Sequence, residues 1–171
     1  MFSTPPAVAV VLRPSVVGDL PFVTVAERHA HQLAYVGHWS EDQHRAAINS
    51  PDKAHLVLER VIDKAQVGYA ILEGLTDANR SILLRRIVVT ETGQGYGRAA
   101  LRQLKQMVFE THQAHRFWLD VKDFNPRARH LYESEGFVLE GCLRDALKTE
   151  RGYHSMYIMA ILEQEYHRQG T

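Results

Sequence analysis

The sequence predicts an α/β domain with a mixed sheet, because β-rich runs and helical patterns alternate along the chain. Three β-rich runs follow one another at 55–62, 66–75 and 81–90, and the three residues between the first two fit a hairpin turn. The pattern then changes to period 3.6 from about residue 95 to 112, and a short apolar strand follows at 117–121. The three runs predict an antiparallel meander, and the strand–helix–strand order predicts a right-handed parallel crossover.

Two helices are expected between a first strand at 7–13 and this meander. The first begins near Leu20, after Gly18 and Asp19, and runs into the segment 29–35. The second begins at a capping box, with Ser40 three residues before Gln43, and runs through Ile48 to a stop at Ser50 and Pro51. The N-terminal part is therefore predicted as a strand followed by two helices.

The C-terminal part is predicted to contain one more helix and two strands. Asn125 is a good N-cap, Pro126 suits the first helical turn, and Gly136 suits the left-handed residue that ends a helix. Two β-rich runs at 137–143 and 153–162 follow, joined by a charged loop. These last strands are expected to pair antiparallel.

Length and composition exclude several classes of protein. The 171 residues are 45% hydrophobic and 23% charged, so residues 1–171 are expected to form a single domain with its own core. Lys+Arg and Asp+Glu number 20 each, and the zero net charge provides no overall field for nucleic acid or an anionic membrane. The first residues show no signal peptide or membrane span, and the single Cys142 cannot form an intrachain disulfide. A reducing cytoplasm is the expected location.

The ten histidines do not predict a metal site. His29 with His31, and His112 with His115, lack a third ligand in register, and no His-Glu-x-x-His motif occurs. We therefore expect no bound metal.

A glycine-rich turn between a strand and a helix, at 90–97, is the strongest chemical signal in the sequence. Gly95 and Gly97 allow the backbone to approach a ligand closely, and the helix that follows begins with unpaired N–H groups. The partial positive charge of the helix N-terminus adds to their attraction for anions. This turn is predicted to bind a phosphate or pyrophosphate.

A dinucleotide-binding fingerprint is an alternative interpretation of the same turn. Residues 95–100 also satisfy G-x-G-x-x-G/A, and Asp120, 20 residues further on, occupies the place of a ribose-binding acid. However, a dinucleotide fold needs repeated βαβ units, and only about fifty residues with one predicted helix follow Asp120. An oxidoreductase is therefore the second hypothesis.

Two motifs resemble the GNAT superfamily of acetyl-CoA-dependent N-acetyltransferases. Residues 94–99 resemble its Q/R-x-x-G-x-G/A motif, with Gln94, Gly97 and Ala99 at the defined positions. Residues 125–137 resemble the second motif, N-x-x-A-x-x-L-Y-x-x-x-G-F, and the segment 141–166 is similar to the ribosomal-protein and polyamine acetyltransferase branch. The resemblance implies a mostly antiparallel sheet of six to seven strands with about four helices and a splay between the two central strands.

The resemblance also implies direct acetyl transfer from acetyl-CoA to a primary amine in a ternary complex. Backbone groups of the splayed strand would pair with the pantetheine arm, and the turn amides would hold the pyrophosphate, with an added charge from the Arg98 side chain. Further contacts are expected from the helix after Asn125. The implied cofactor-binding residues are Ile87, Val88, Val89, Gln94, Gly95, Tyr96, Gly97, Arg98, Ala99, Asn125, Ala128, Arg129 and Tyr132.

Tyr132 is the predicted general acid for the departing thiolate. It lies two helical turns after Asn125, so both residues can line the same channel. The general base is left open between Glu73, near the end of a central strand, and Glu91, just after the splayed strand; water alone suffices if the amine has a low pKa. A CoA-binding protein without catalysis is a third hypothesis.

The acceptor amine and the oligomeric state are not determined by the sequence. A peptide α-amine, a lysine and a small metabolite amine are all possible, although the zero net charge argues against a polyamine specialist. By resemblance, His38 and Trp39 fall in the acceptor pocket and the final strands can form a homodimer. Arg85 and Arg86 are expected on opposite faces of their strand, so they do not form a nucleic-acid patch.

Overall fold

The computed structural model describes residues 10–32 and 36–169, in which seven strands and five α-helices are found. The strands are β1 (Val10–Pro14), β2 (Lys53–Arg60), β3 (Gln66–Glu73), β4 (Ser81–Val89), β5 (Arg116–Lys122), β6 (Val138–Thr149) and β7 (Gly152–Leu162). The helices are α1 (Leu20–Gln32), α2 (Glu41–Ile48), α3 (Tyr96–Gln106), α4 (Pro126–Ser134) and α5 (Glu163–Gln169). A 3-10 turn at Val17–Asp19 precedes α1, and a π-helical turn at Met107–Thr111 extends α3.

The strands form one sheet in the order β1-β2-β3-β4-β5-β7-β6. Every neighbouring pair is antiparallel except β4 and β5, which are parallel and are connected through α3. The predicted mixed, mostly antiparallel sheet is confirmed, and so is the meander β2-β3-β4. Parts of two predicted elements, at 7–9 and 33–35, lie outside the described residues.

The two central strands separate after a short paired segment. β4 and β5 pair only at their first three positions, from Ser81 with Arg116 to Leu83 with Trp118. A β-bulge at Arg85 shifts the register between β3 and β4 just beyond this point. Because bulges bend a strand and interrupt its ladder, this one accompanies the start of the predicted splay.

Helices cover both faces of the sheet and leave the splay accessible. On one face, Val23, Ala26 and Ala30 of α1 pack against Tyr69, Ile71 and Val88. On the other face, α3 and α4 bury Leu101, Leu104 and Tyr132 over the core-facing residues of the central strands. The splay thus lies between two helical layers, and each layer can supply side chains to it.

Local sequence signals are confirmed at several element ends. Ser40 accepts a hydrogen bond from the Gln43 amide and the Gln43 side chain bonds the Ser40 amide, which is the predicted capping box. Asn125 Oδ1 accepts from the Ala128 amide at 3.2 Å, and Gly136 has φ 94° at the end of α4. These contacts satisfy backbone groups that a helix end leaves without partners.

The predicted charged loop between the last two strands is wrong, because β6 continues to Thr149. Leu147 pairs with His154 and Thr149 with Gly152, after a register shift that begins at Leu143. Most of β6 is exposed on both faces, so its sequence shows no alternation of apolar and polar residues. Helix α5 was likewise not predicted, since its seven residues are mostly polar.

Candidate active site

A cavity of about 860 Å³ occupies the splay between β4 and β5. Its walls are formed by β4 and the following turn, by the end of β5, by the start of α3, by α4, and by α1 with the segment after it. Of the predicted site residues, these line the cavity: Glu73, Ile87, Val88, Val89, Glu91, Gly95, Tyr96, Gly97, Arg98, Asn125, Ala128 and Tyr132.

The backbone amides at the start of α3 are available to a ligand. Gly95 is the N-cap with φ 78°, and Gly93 has φ 80°, a left-handed conformation that glycine adopts without strain. In the part of the chain that the structure describes, no group accepts a hydrogen bond from the amides of residues 91–98. These N–H groups, at the positive end of the α3 dipole, suit the pyrophosphate of acetyl-CoA.

Ala99 is an exception among the predicted pyrophosphate-binding amides. Its N–H donates to the Gly95 carbonyl at 3.1 Å and closes the first turn of α3, so this amide is not available. Gln94 is exposed and does not line the cavity. Of the predicted pyrophosphate-binding residues, those that line the cavity and have unbonded amides are therefore Gly95, Tyr96, Gly97 and Arg98.

The Arg98 guanidinium is held by the protein. It lies 2.5 Å from Glu135 Oε1 and 3.0 Å from Ser134 Oγ, at the end of α4. Glu135 is buried and also binds Arg102 and Lys105. This cluster joins α3 to the end of α4, so a contact between Arg98 and the cofactor would need to share the Glu135 ion pair.

Tyr132 lies where α4 meets the cavity. Its ring is only 7% exposed, and within residues 10–32 and 36–169 its hydroxyl makes no hydrogen bond. Burial raises the pKa of Tyr132, and the negative charge of Asp120 raises it further. The phenol therefore remains protonated at neutral pH and can donate a proton.

Arg129 does not reach the cavity, so its predicted role as a cofactor ligand is not supported by its position. Its Nε donates to Glu133 at 2.9 Å, one helical turn away, and its guanidinium lies 4.4 Å from the centre of the Tyr157 ring. Position 129 is on the side of α4 turned toward β7, whereas Asn125, Ala128 and Tyr132 face the splay.

Both glutamates predicted as candidate bases are ion-paired. Glu73 binds Lys53 at 2.5 Å and Arg85 at 2.8 Å. Burial would raise the pKa of Glu73, but the hydrogen bonds from Arg85 and Lys53 outweigh it and hold the pKa below its usual value. Glu91 is exposed and lies 3.0 Å from Arg60. A carboxylate stabilised by cations is a weak base, so Glu73 is poorly suited to take a proton from an amine.

A buried polar cluster under the α1 side of the cavity is not evident from the sequence. The Glu27 carboxylate, 1% exposed, accepts from the Tyr69 hydroxyl at 2.9 Å and lies 2.7 Å from His44 Nε2 and 3.1 Å from Arg86 Nη1. It also accepts from the Trp39 amide. The only available signal was a glutamate on the same helical face as Val23 and Ala30.

The cluster also positions part of the cavity wall. The Arg86 guanidinium lies 4.7 Å from the centre of the Trp39 ring, and both residues line the cavity. Arg86 is buried whereas Arg85 is exposed, which confirms the predicted opposite orientations. His38 is exposed and does not line the cavity, so of the two residues predicted for an acceptor pocket only Trp39 lines the cavity.

The described residues were also searched for metal-binding clusters and for membrane-spanning helices. No three His, Cys, Asp or Glu side chains are arranged to hold a metal ion. None of the helices in these ranges has the length and apolar character needed to span a bilayer.

Comparisons with known proteins agree with the fold. Residues 25–137 match the acetyltransferase (GNAT) family. The chain is 28% identical to spermidine N(1)-acetyltransferase of Vibrio cholerae, over 87% of this chain and 90% of the relative, and 30% identical to [ribosomal protein bS18]-alanine N-acetyltransferase of Salmonella typhimurium, over 84% and 90%.

Solved structures are also similar. Spermidine N-acetyltransferase from Vibrio cholerae in complex with CoA and spermine has a TM-score of 0.83 and 26% identity, over 92% of this chain and 97% of that one. A dodecameric structure of the same enzyme has a TM-score of 0.82 and 25% identity, over 95% and 98%. The repeated βαβ architecture of a dinucleotide-binding oxidoreductase is not found, because β4–β5 is the only parallel pair in the described sheet. The chain belongs to the acetyltransferase (GNAT) family and is an N-acetyltransferase that uses acetyl-CoA.

Proposed function

We propose that acetyl-CoA binds in the splay between β4 and β5, with its pyrophosphate on the amides of residues 95–98. The observation that carries this proposal is that these unbonded amides and the unpaired end of β4 border one cavity. The backbone of Ile87, Val88 and Val89 has no strand partner on the β5 side, and there it would pair with the pantetheine arm. Asn125 and Ala128 would form the opposite wall.

Tyr132 is proposed as the general acid. It is the tyrosine of α4 that lines the cavity, and its hydroxyl makes no hydrogen bond with any described residue. Acetyl transfer releases a thiolate, and a phenol positioned to protonate it lowers the barrier to carbon–sulfur cleavage. Acetyl-CoA supplies the acetyl group as a co-substrate, and the protein contributes alignment, carbonyl polarisation by backbone amides, and proton transfer.

We propose a peptide or protein amine as the acceptor. The acceptor would approach past Trp39, on the α1 side of the splay. The carboxylates that line the cavity are outnumbered by cationic groups: Glu73, Glu91 and Asp120 against Arg85, Arg86, Arg98, Lys122 and Arg127. Arg85, Arg86 and Arg98 are paired with Glu73, Glu27 and Glu135, so the walls carry no excess of carboxylates that would attract a polycation. The carbonyl oxygens of a peptide can accept hydrogen bonds from the cationic groups.

Spermidine is the second candidate acceptor, because the relative from Vibrio cholerae carries that activity in its name and aligns over most of the chain. Free-thiol release from acetyl-CoA would be measured with a peptide that begins with alanine, a peptide with an internal lysine, and spermidine. We expect the highest kcat/KM with one of the peptides. A higher value with spermidine would replace the peptide assignment with a polyamine one.

The assembly of this chain is proposed to involve the exposed hairpin of β6 and β7. β6 is at the sheet edge, and Val138, Leu139, Leu143 and Tyr153 are large apolar residues exposed there. An open edge with apolar side chains favours pairing with another chain. Light scattering coupled to size exclusion would separate the homodimer proposed from these strands from a dodecamer like that of the Vibrio cholerae enzyme.

A single catalytic domain over residues 1–171 and a cytoplasmic location are also proposed. The first rests on the joining of all described strands into one sheet. The second would be tested by fractionation of cells that express the protein.

A further inference from the structure

A third carboxylate, that of Asp120, lines the cavity on β5. This strand alternates between buried Phe117, Leu119 and Val121 on the core side and half-buried Trp118, Asp120 and Lys122 on the other side. Trp118 is the last residue of β5 that pairs with β4. Asp120 therefore lies two residues into the splay. Its side chain is on the opposite face of the sheet from Leu119 and Val121.

Asp120 differs from the two glutamates in the same cavity. Glu73 is held by Lys53 and Arg85, and Glu91 by Arg60. Among the residues that the structure describes, none forms a hydrogen bond or an ion pair with the Asp120 carboxylate. A cavity-lining carboxylate without such partners has its lone pairs available to a substrate.

The surroundings of Asp120 favour proton uptake. Burial raises the pKa of this carboxyl, and the more distant positive charges of Arg85 and Lys122 only partly oppose the effect. Its charge also acts on Tyr132, since Asp120 contributes to the raised pKa of that phenol. The two groups therefore interact across the same cavity, one from β5 and the other from α4.

We propose that Asp120 is the general base of this enzyme, and that it takes the proton from the acceptor amine while Tyr132 protonates the leaving sulfur. This inference rests on the acetyl-transfer function proposed above. Its basis is the position of the Asp120 carboxylate in the splay, its lack of described partners, and the ion pairs that occupy Glu73 and Glu91. The proposed role as a base differs from the ribose contact that the fingerprint interpretation assigned to Asp120.

One ammonium proton of the acceptor passes to Asp120 and then to solvent, and the nitrogen lone pair forms the bond to the acetyl carbonyl carbon. The electrons of the carbon–sulfur bond go to sulfur, which takes the Tyr132 proton. The second proton lost by nitrogen restores the Tyr132 hydroxyl through solvent. The products are an amide, free CoA and one proton.

The variant Asp120→Asn tests this role because it keeps the shape of the side chain and removes the base. The acceptor would be whichever of the alanine peptide, the lysine peptide and spermidine is fastest with the wild-type enzyme. We expect kcat to fall by about 100-fold to 10,000-fold, the usual contribution of a general base, with acetyl-CoA affinity by calorimetry within about threefold of wild type. In the variant, kcat/KM should continue to rise with pH as the free amine forms.

Two controls separate a catalytic role from a structural one. Asp42→Asn, at an exposed site on α2, makes the same chemical change away from the cavity and should leave kcat unchanged. Asp120→Glu retains a carboxylate and should recover part of the lost rate. A wild-type kcat in Asp120→Asn, or a Glu variant as inactive as the Asn variant, would overturn the proposal.

A measurement that needs no acceptor distinguishes this inference from the proposed function. The Asp120 carboxyl carbon would be followed by NMR in the pH titration of the folded wild-type enzyme, with Asp120→Asn for assignment. We expect a pKa above the usual aspartate value of about 3.9, and a value at or below it would exclude Asp120 as base. If no tested amine is acetylated although acetyl-CoA binds, the acceptor assignment fails and this titration still decides the inference.

Discussion

The Glu27 carboxylate on α1 lies 3.1 Å from Nη1 of Arg86 on β4, and both side chains are almost completely buried. Arg86 Nη1 also donates to the Gly37 carbonyl at 2.5 Å. This pair therefore connects the first helix, the segment after it, and the splayed strand. Because Arg86 lies against Trp39 on the cavity wall, the ion pair also positions this part of the wall.

Glu27→Gln is expected to destabilise the fold by about 3–5 kcal/mol, since removal of one partner leaves the buried Arg86 charge uncompensated. Urea denaturation would measure the loss. Glu41→Gln is the matched control, because it breaks an exposed pair with Arg45 and should cost at most about 1 kcal/mol. Equal losses in the two variants would contradict the structural role of Glu27.

Tyr132→Phe is expected to lower kcat by about 100-fold or more, because the variant lacks the proton donor for the thiolate. The affinity for acetyl-CoA should stay within about threefold, since the hydroxyl makes no hydrogen bond with the described residues. Steady-state kinetics and calorimetry would measure the two effects. Tyr153→Phe, at a 63% exposed position outside the cavity, should behave as wild type. An unaltered rate in Tyr132→Phe would remove this residue from the chemistry.

Gly97→Trp is expected to abolish acetyl-CoA binding in a folded protein. A Cβ at this position would lie 3.6 Å from Leu131 and 3.8 Å from Val89, so a small group fits and an indole must fill the cleft. We expect affinity to fall by about 100-fold or more, close to 2.7 kcal/mol. Gly18→Trp provides the control, because no atom lies within 4 Å of a Cβ placed there. Calorimetry and circular dichroism would test binding and folding; unchanged affinity in Gly97→Trp would refute the proposed cofactor site.

Stability is expected to fall as the pH is lowered from about 6.5 to 4, partly because of His55. Burial, followed by the charges of His44 on α2 and of Arg86, lowers its pKa to about 4, and the charges of Asp19 and Glu27 partly oppose this shift. Its ring bonds Ser15 Oγ at 2.7 Å and lies 3.1 Å from His44. The unfolded state then binds more protons than the folded state in this range, so the free energy of unfolding rises with pH.

The variant His55→Gln isolates this contribution. Between pH 7 and pH 5 the wild type should lose about 2 kcal/mol more than the variant, because the folded histidine resists protonation and the unfolded one does not. Denaturation at the two pH values, compared between the proteins, would measure the difference. The same pH dependence in both would show that His55 is not responsible.

The fold class and the anion-binding turn could be predicted because their signals are local. The glycines around residue 95 determine a left-handed N-cap with unbonded amides, and Asn125, Pro126 and Gly136 delimit α4 whatever the rest of the chain does. The apolar period of α3 likewise identifies its buried face. Such features depend on neighbours within a few residues, which the sequence displays directly.

The surroundings of individual carboxylates were decided by the tertiary structure. Glu73, Glu91 and Asp120 look alike in the sequence, yet ion pairs to Lys53, Arg85 and Arg60 occupy the first two, and the splay leaves the third without a described partner. The same holds for Arg129, which the folded chain turns toward Tyr157. The basicity of a carboxylate depends on its burial and on charges brought near it by distant parts of the chain. Sequence alone thus determined which family of fold and cofactor chemistry this protein has, and only the packed structure decided which of these carboxylates are held in ion pairs.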